Sequence, residues 1–476
     1  MTRRTKIVCT IGPATEAPER LESLIAAGMN VARLNLSHGN HQTHGEVIGN
    51  IRAIASRLGQ PVAILLDLAG PKLRIGPIAG GPVALKPGQE FTLTLRNVAG
   101  SDREVSLTHP ALVQDVRKGD ALLLADGAIE LVVEKIDEGN VHCRVIVGGE
   151  IDSHKGINVP SRTLSLPALS EKDEKDLLFG LEQGVDYIAL SFIRSADEVT
   201  RIRKLVREQD CETPLIAKIE KREALADIDR IIAEVDGIMI ARGDLGVEIP
   251  IERIPRVQKE LIAKANRAGI PVITATQMLK SMVECTRPTR AEVTDVANAI
   301  LDGSGAVMLS EETAVGRHAV GAVQIMSRIA VSTEEAFPFG TWASRFDSDE
   351  ALSMQDAVAR AACRMARQVK AAAIITNTQS GSTTRLVSKC RPSQPILAIT
   401  PDETTYRRLA LVWGAVPLLI DASGSAGALE EQSLDVARHS GFLEGRGRVV
   451  ITAGLPLHVT GTTNSIRVLE FGDGVS

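Results

Sequence analysis

Short runs of apolar and β-branched residues, each followed by a stretch with helical spacing of its apolar positions, repeat along the first two thirds of the chain. The runs are Lys6–Ile11, Val31–Leu36, Val62–Leu68, Tyr187–Phe192, Leu215–Ile219, Gly237–Ile240, Pro271–Thr274 and Ala306–Leu309. Near-continuous hydrophobic runs of this length describe strands buried on both faces, as in a parallel sheet. The stretches Pro18–Ala27, Ser195–Glu208 and Arg256–Ala268 read as the helices that follow three of them. The fold class is therefore α/β, and eight such units favour a closed (β/α)8 TIM barrel over an open doubly wound sheet.

The third unit is interrupted. After Asp67 its helix does not begin until Ser170-Glu171-Lys172-Asp173, a capping-box pattern. In between, FTLTLR, EVSLTH, ALLLAD, IELVVEKI and VHCRVIV are short alternating strands separated by glycine-containing turns. Residues 71–165 are expected to form a small β-barrel domain that serves as a lid, because βα loops of barrels lie on the catalytic face. The barrel would then occupy residues 1–70 and 166–340. The acidic, serine-containing segment Phe346–Ser353 reads as a linker into a separate C-terminal α/β domain at 346–476.

Composition narrows the function classes. The chain has 476 residues and a net charge of −5, with only 3% aromatic residues, so neither a basic nucleic-acid footprint nor platforms for stacking bases are present. No run approaches the roughly 18 apolar residues of a membrane span, and the N-terminal MTRRTKIVCTIG lacks the apolar core of a signal peptide. The six cysteines show no C-x-x-C pair, as expected of reduced thiols in a cytoplasmic protein.

Barrel enzymes carry their chemistry at the C-terminal ends of the strands. Those ends here hold Arg33, Asn35, Ser37 and His38, then Asp67 leading to Lys72 and Arg74, then Lys218 and Glu220, Gly243 and Asp244, Thr276, and Glu311 and Glu312. Buried charges at strand ends cost several kcal/mol unless paired or metal-bound, so a purely structural role explains them poorly. In Lys218-Ile219-Glu220 the strand period turns both charged side chains to one face. Glu220 and Asp244 are hard oxygen donors suited to Mg²⁺ or Mn²⁺, and Arg33, Arg74 and Lys218 suit an anionic substrate. Two carboxylates, a lysine and two arginines describe phosphoryl transfer, where catalysis is mostly positioning and charge neutralisation.

Seven collinear strings resemble the pyruvate kinases: TKIVCTIGP (5–13), VARLNLSHG (31–39), LDLAGPKLR (66–74), KIE (218–220), ARGDLGVE (241–248), ATQMLKSM (275–282) and MLSEETAVG (308–316). The resemblance implies transfer of a phosphoryl group from phosphoenolpyruvate to ADP in glycolysis, giving pyruvate and ATP, by a cytoplasmic homotetramer. It implies that Lys218 neutralises the moving phosphoryl group and that Glu220 and Asp244 hold Mg²⁺. Gly243, Asp244 and Thr276 would bind the substrate carboxylate, with Thr276 on the proton's route to the methylene carbon. Arg33 would bind the transferring phosphate. Arg74, His38 and Asn35 would contact nucleotide, and Asn35, Ser37 and Asp67 would be potassium ligands.

One departure stands out. Potassium-dependent members carry Thr-Lys-Gly-Pro-Glu after the aspartate, where this chain reads Leu68-Ala69-Gly70-Pro71-Lys72. An ammonium in place of a carboxylate supplies charge that K⁺ would bring, which predicts that Lys72 replaces the ion and that K⁺ is not required. Ser195 and Ser165 also depart from the family's lid-side pattern, leaving the nucleotide contacts there open. In the last domain, Thr378, Ser380, Ser382, Thr383 and Thr384 line a hydroxyl-rich loop at a helix start. In the family this loop receives a sugar phosphate, and a sugar phosphate or AMP is the expected effector, with Gly461–Asn464 as the opposing wall. Two alternatives differ in kind. A barrel lyase working through a pyruvate enolate would not need the insertion or the last domain, and a scaffold or RNA-binding barrel would not keep every strand-end charge.

Overall fold

The computed structural model describes residues 3–346, 352–421, 426–454 and 463–472. Eight parallel strands close into a barrel: Lys6–Ile11, Val31–Asn35, Ala63–Asp67, Tyr187–Leu190, Leu215–Ile219, Gly237–Ala241, Val272–Ala275 and Ala306–Leu309. The side-chain period of two sorts each strand into two layers. Val8, Val31, Leu65, Ala189, Ile216, Met239, Ile273 and Met308 pack on one another inside the barrel. Ile7, Cys9, Ile64, Leu66, Ile188, Ala217 and Ile219 belong to the larger core between strands and helices. Because Ile219 packs outward, its neighbours Lys218 and Glu220 both point into the barrel mouth, as their spacing predicts.

The insertion begins at a constrained hinge. Gly70 has φ +71°, and a Cβ there would meet Ser191 and Phe192 at 2.8 Å, so only glycine fits. The chain re-enters the barrel at the helix Glu171–Glu182, whose capping box forms as expected between Ser170 and Asp173. Asp173 also accepts from the Gly70 N–H at 2.9 Å, which ties the exit of the insertion to its return.

Within the insertion, six strands pair as a curled sheet: Ile157–Asn158, Ala121–Leu124, Ile129–Asp137, Asn140–Val147, Glu90–Thr94 and Glu104–Ser106, in that order. Its two edges are joined through one segment, with Arg74 bridged to Gly156 and Ile75 to Leu107. The ring is thereby completed around a core that includes Ile75, Phe91, Leu93, Leu122, Leu131 and Val145.

The C-terminal sheet runs Ala415–Leu419, Ile396–Thr400, Ala373–Asn377, Gly447–Gly454, Thr463–Phe471, parallel except for the last pair. Part of the expected linker, 347–351, lies outside the described residues. This sheet and its helices sit against the N-terminal face of the barrel. Ala410 and Leu411 pack into the barrel-interior cluster itself. Asp186, fully buried at the start of the fourth strand, pairs with Arg52 at 2.8 Å and with Arg407 of the last domain at 3.0 Å. Buried Arg391 donates to the carbonyl oxygens of Gly303 and Ser304 and lies 4.4 Å from the centre of the Trp413 ring.

Candidate active site

At the C-terminal mouth of the barrel a cavity of about 540 Å³ is lined by Thr10, Arg33, Asn35, His38, Lys218, Glu220, Asp244 and Thr276, among others. Its floor is an ion-pair network contributed by adjacent strands. The Arg33 guanidinium donates to Asp67 Oδ2 at 2.6 Å and to Thr10 Oγ1 at 2.9 Å. The Lys218 ammonium lies 3.3 Å from Asp67 Oδ1 and 2.9 Å from Glu220 Oε1, and donates to Ser191 Oγ at 2.7 Å. The other Glu220 oxygen accepts from the Phe192 N–H at 2.7 Å.

Burial opposes the charges of Asp67, Lys218 and Glu220, and the outcome differs among them. For Asp67, complete burial is outweighed by Lys218 and then Arg33, so its carboxyl titrates below the ordinary aspartate value. For Lys218, burial is outweighed by Asp67 and Glu220, so the ammonium is held above the ordinary lysine value. Glu220 goes the other way: burial raises it, Lys218 offsets only part of this, and the like charge of Asp244 adds to the rise. A second carboxylate close enough to repel the first is the electrostatic setting that a divalent cation relieves.

The donor set fits such an ion. Glu220 and Asp244 are two carboxylates at one cavity wall, which is the number Mg²⁺ ordinarily takes from protein, with the remaining positions left to water and substrate oxygens. Among the described residues no group of three or more His, Cys, Asp or Glu forms a closed metal cage, so the pair would act with substrate.

Thr276 and Gln277 follow the seventh strand with φ values of +70° and +55°. Non-glycine residues in this region cost of order 1–3 kcal/mol each unless the surroundings hold them. Arg242 does so, donating to the carbonyl oxygens of Ala275 at 3.2 Å and Thr276 at 2.7 Å while pairing with Asp295. The turn brings Thr276 Oγ1 to 2.9 Å from the Gly243 N–H, which donates to it.

Not every expected site residue is in this constellation. Arg74 does not line the cavity; it lies in the insertion, with its guanidinium on the His154 carbonyl at 3.0 Å. Asn35 faces Asp67 in the strand register, and its side chain accepts from the Ser37 N–H at 3.2 Å, while Ser37 itself is exposed. Lys72, the residue expected to stand in for potassium, is directed at Asp244. Its ammonium is 2.9 Å from Asp244 Oδ1 and 3.5 Å from Asp126, and over the Phe192 ring. The reason is the tight turn at Gly70, which carries Lys72 past Asp67 toward the sixth strand. There Asp244 outweighs partial burial and raises the ammonium above its ordinary value.

Three contributors have no role assigned from the sequence, although Thr10 and Arg242 lie within two of the seven strings. Ser191, Arg242 and Thr10 act by holding Lys218, Thr276 and Arg33. Ser191 was within reach of the period-two pattern, since it stands two residues beyond inward-facing Ala189 at a strand end. Arg242 bonds to backbone carbonyls, which spacing does not reveal.

In the C-terminal domain the hydroxyl-rich loop leads into the helix Ser382–Lys389. Only part of it faces outward. Thr384 is fully buried and shares a hydrogen bond of 2.8 Å with Thr376, Thr383 shares one of 2.7 Å with Thr463, and Thr378 is buried. Ser380 is exposed and Ser382 half-buried, 3.3 Å apart. Gly461 and Thr462 of the expected opposing wall lie outside the described residues.

Known proteins match this architecture from end to end. The family model for the pyruvate kinase barrel domain matches residues 2–323, and that for the pyruvate kinase alpha/beta domain matches 356–469. The chain belongs to the pyruvate kinase family. It is 49% identical to pyruvate kinase 2 of Synechocystis sp. over 98% of this chain and 79% of that protein. It is 46% identical to the pyruvate kinase of Geobacillus stearothermophilus, over 99% of this chain and 81% of that one. With the pyruvate kinase of Clostridium acetobutylicum it shares 43% identity across 98% and 99% of the two chains. Membership of that family makes the chain a phosphotransferase. No helix among the described residues is long and apolar enough to cross a membrane.

Proposed function

We propose that the barrel-mouth cavity transfers the phosphoryl group of phosphoenolpyruvate to ADP, giving pyruvate and ATP, with residues 1–70 and 166–340 as the catalytic barrel, 71–165 as its lid and 346–476 as a regulatory domain. The observation that carries this reading is the Lys218 ammonium on the cavity floor, poised between Asp67 and Glu220 and aimed by Ser191. A cation fixed in a buried site stabilises charge that develops in the transition state without reorganising to do so.

Each side chain has a distinct task. Arg33, held rigid by Asp67 and Thr10, binds the phosphate that moves. Lys218 bridges that phosphate and the oxygen that it leaves, offsetting the enolate charge. The Gly243 and Asp244 amides receive the substrate carboxylate, which would displace the Thr276 hydroxyl from the Gly243 N–H. That hydroxyl, which donates to the Ala275 carbonyl at 2.6 Å, would turn from it to pass a proton toward the methylene carbon. Asn35 and His38, which line the same cavity, with Arg74 brought down by the lid, would contact the nucleotide. Glu220 and Asp244 would hold Mg²⁺ or Mn²⁺, which when bound neutralises oxygen charge during the transfer.

This reading extends to regulation and ions. The loop at Ser380 and Ser382 would take the phosphate of a sugar phosphate or AMP, the assembly would be a homotetramer, and the compartment cytoplasmic. Potassium would not be required: Asp67 is already compensated by two cations, and Lys72 brings a further positive charge to the Asp244 side of the site.

The test is a coupled pyruvate assay with phosphoenolpyruvate, ADP and Mg²⁺. Lys218→Met removes the central cation and should lower kcat by about a thousandfold or more. A variant that folds normally and retains activity within tenfold of wild type would overturn the reading.

A further inference from the structure

One cation ties the insertion to a carboxylate that the proposed function gives to the divalent ion. The Lys72 ammonium lies 2.9 Å from Asp244 Oδ1 on the barrel and 3.5 Å from Asp126 Oδ1 in the insertion. Its route there is confined. The turn at Gly70 sets the direction, and the ammonium passes 5.6 Å from the centre of the Phe192 ring. The stem crosses Gly156, where a Cβ would meet Lys72 Cε at 2.6 Å. Burial opposes the charge of Lys72, and Asp244, Asp126 and Glu220 together outweigh it, so the side chain is a cation throughout the neutral range.

The short helix Arg242–Glu248 that carries Asp244 is also where the insertion rests. Asn158 of the insertion donates to Glu248 Oε1 at 2.9 Å, and the same oxygen accepts from Lys221 at 2.6 Å. The turn Ala125-Asp126-Gly127 has φ values of +51°, +55° and +88° and faces Val247, whose side chain would stand 3.7 Å from a Cβ at Gly127. The bridge Asp126–Lys72–Asp244 therefore spans the seam between the insertion and this helix. A carboxylate oxygen that serves an ammonium is not free for a metal, and the two cations repel. At a separation of about 4 Å, a double charge beside a single one is disfavoured by about tenfold or more even at the dielectric constant of water. Asp126 gives a displaced ammonium a second carboxylate within its reach.

We propose that Lys72 is a built-in competitor for the divalent ion at Asp244, and that loading the ion shifts the ammonium to Asp126 and so removes one of the contacts that seat the lid. The inference rests on the reading in which Glu220 and Asp244 hold that ion. Lys72 then sets the affinity for free metal, and metal loading and lid position are coupled through a single side chain.

The test is Mn²⁺ binding to the full chain without substrate, read from the electron paramagnetic resonance signal of free Mn²⁺. Lys72→Met should bind the ion about tenfold or more tightly than wild type, whereas Glu220→Gln should bind it far more weakly. Hydrogen exchange followed by mass spectrometry reads the lid. In wild type, Mn²⁺ should speed exchange in residues 70–76 and 122–128; in Lys72→Met both segments should exchange fast with or without the ion. A folded Lys72→Met variant whose affinity is within about twofold of wild type, or weaker, overturns the competition, and a weakened Glu220→Gln beside it leaves the metal site standing. Equal affinity in wild type and Glu220→Gln overturns the metal site and this inference with it. Wild-type exchange that Mn²⁺ leaves unchanged or slows in both segments overturns the coupling to the lid, and that measurement needs no variant.

Discussion

Removing the Ser191 hydroxyl is the smallest change that should disable Lys218, the lysine proposed as catalytic, without removing a charge. Ser191 is buried, accepts from the Lys218 ammonium at 2.7 Å and donates to the Leu68 carbonyl at 2.7 Å. In Ser191→Ala the ammonium keeps its two carboxylates but loses the neutral partner that sets its direction. A hydrogen bond to a charged group contributes about 1.5–3 kcal/mol, and each 1.4 kcal/mol is tenfold, so a bond exploited fully in the transition state corresponds to about 10- to 100-fold in kcat. Because Arg33 and the Gly243 amide are untouched, KM for phosphoenolpyruvate should change by no more than about threefold. Steady-state kinetics in the coupled pyruvate assay separate the two constants, and Ser191→Thr, which restores a hydroxyl, should recover a good part of kcat. A kcat within twofold of wild type in Ser191→Ala, or a loss that falls wholly on KM, would refute the positioning role.

Three further expectations test other parts of the molecule. Rates in K⁺-free buffer should change by no more than about twofold on adding KCl, whereas Lys72→Glu should create a many-fold dependence; a strongly KCl-activated wild type counts against the role given to Lys72. Introducing Asp at both Ser380 and Ser382, the outward-facing hydroxyls of the C-terminal loop, should abolish activation by a sugar phosphate and leave basal kcat unchanged, and loss of basal rate instead would argue for a structural loop. Lys6, buried where the barrel meets the last domain, donates to the Ala415 carbonyl, and burial, then Arg3, lowers its ammonium to about 7 against the pull of Glu334. Below pH 7 the folded and unfolded chains both hold that proton; between about 7 and 10.5 only the unfolded chain does, so this site makes stability rise with pH by up to about 1.4 kcal/mol per unit. Urea unfolding at several pH values should show that rise in wild type and a shallower one in Lys6→Met; parallel slopes would refute it.

The strands were legible because burial on both faces leaves uninterrupted apolar runs: Lys6–Ile11, Leu215–Ile219 and Ala306–Leu309 fall where the pattern places them, and the other five agree to within two residues at either end. The inward aim of Lys218 and Glu220 was legible for the same reason, since Ile219 between them had to face the helices. Other features depend on distances between elements, which periodicity does not encode. Nothing in Leu68–Lys72 reveals that the turn at Gly70 sends an ammonium to Asp244. The inward turn of Thr383 and Thr384 is set by Thr463 and Thr376 on neighbouring strands.

Ala410 and Leu411 have a consequence for how the chain is divided. They belong to the last domain by sequence yet join the apolar layer of the barrel's interior, against the third strand. A protein cut after residue 346 would present that layer to solvent as an uncorked apolar well, alongside an Asp186 stripped of one of its two arginines. The barrel is therefore not a free-standing unit with a second domain attached. Its floor is borrowed, and whatever displaces the last domain must also unseat the floor.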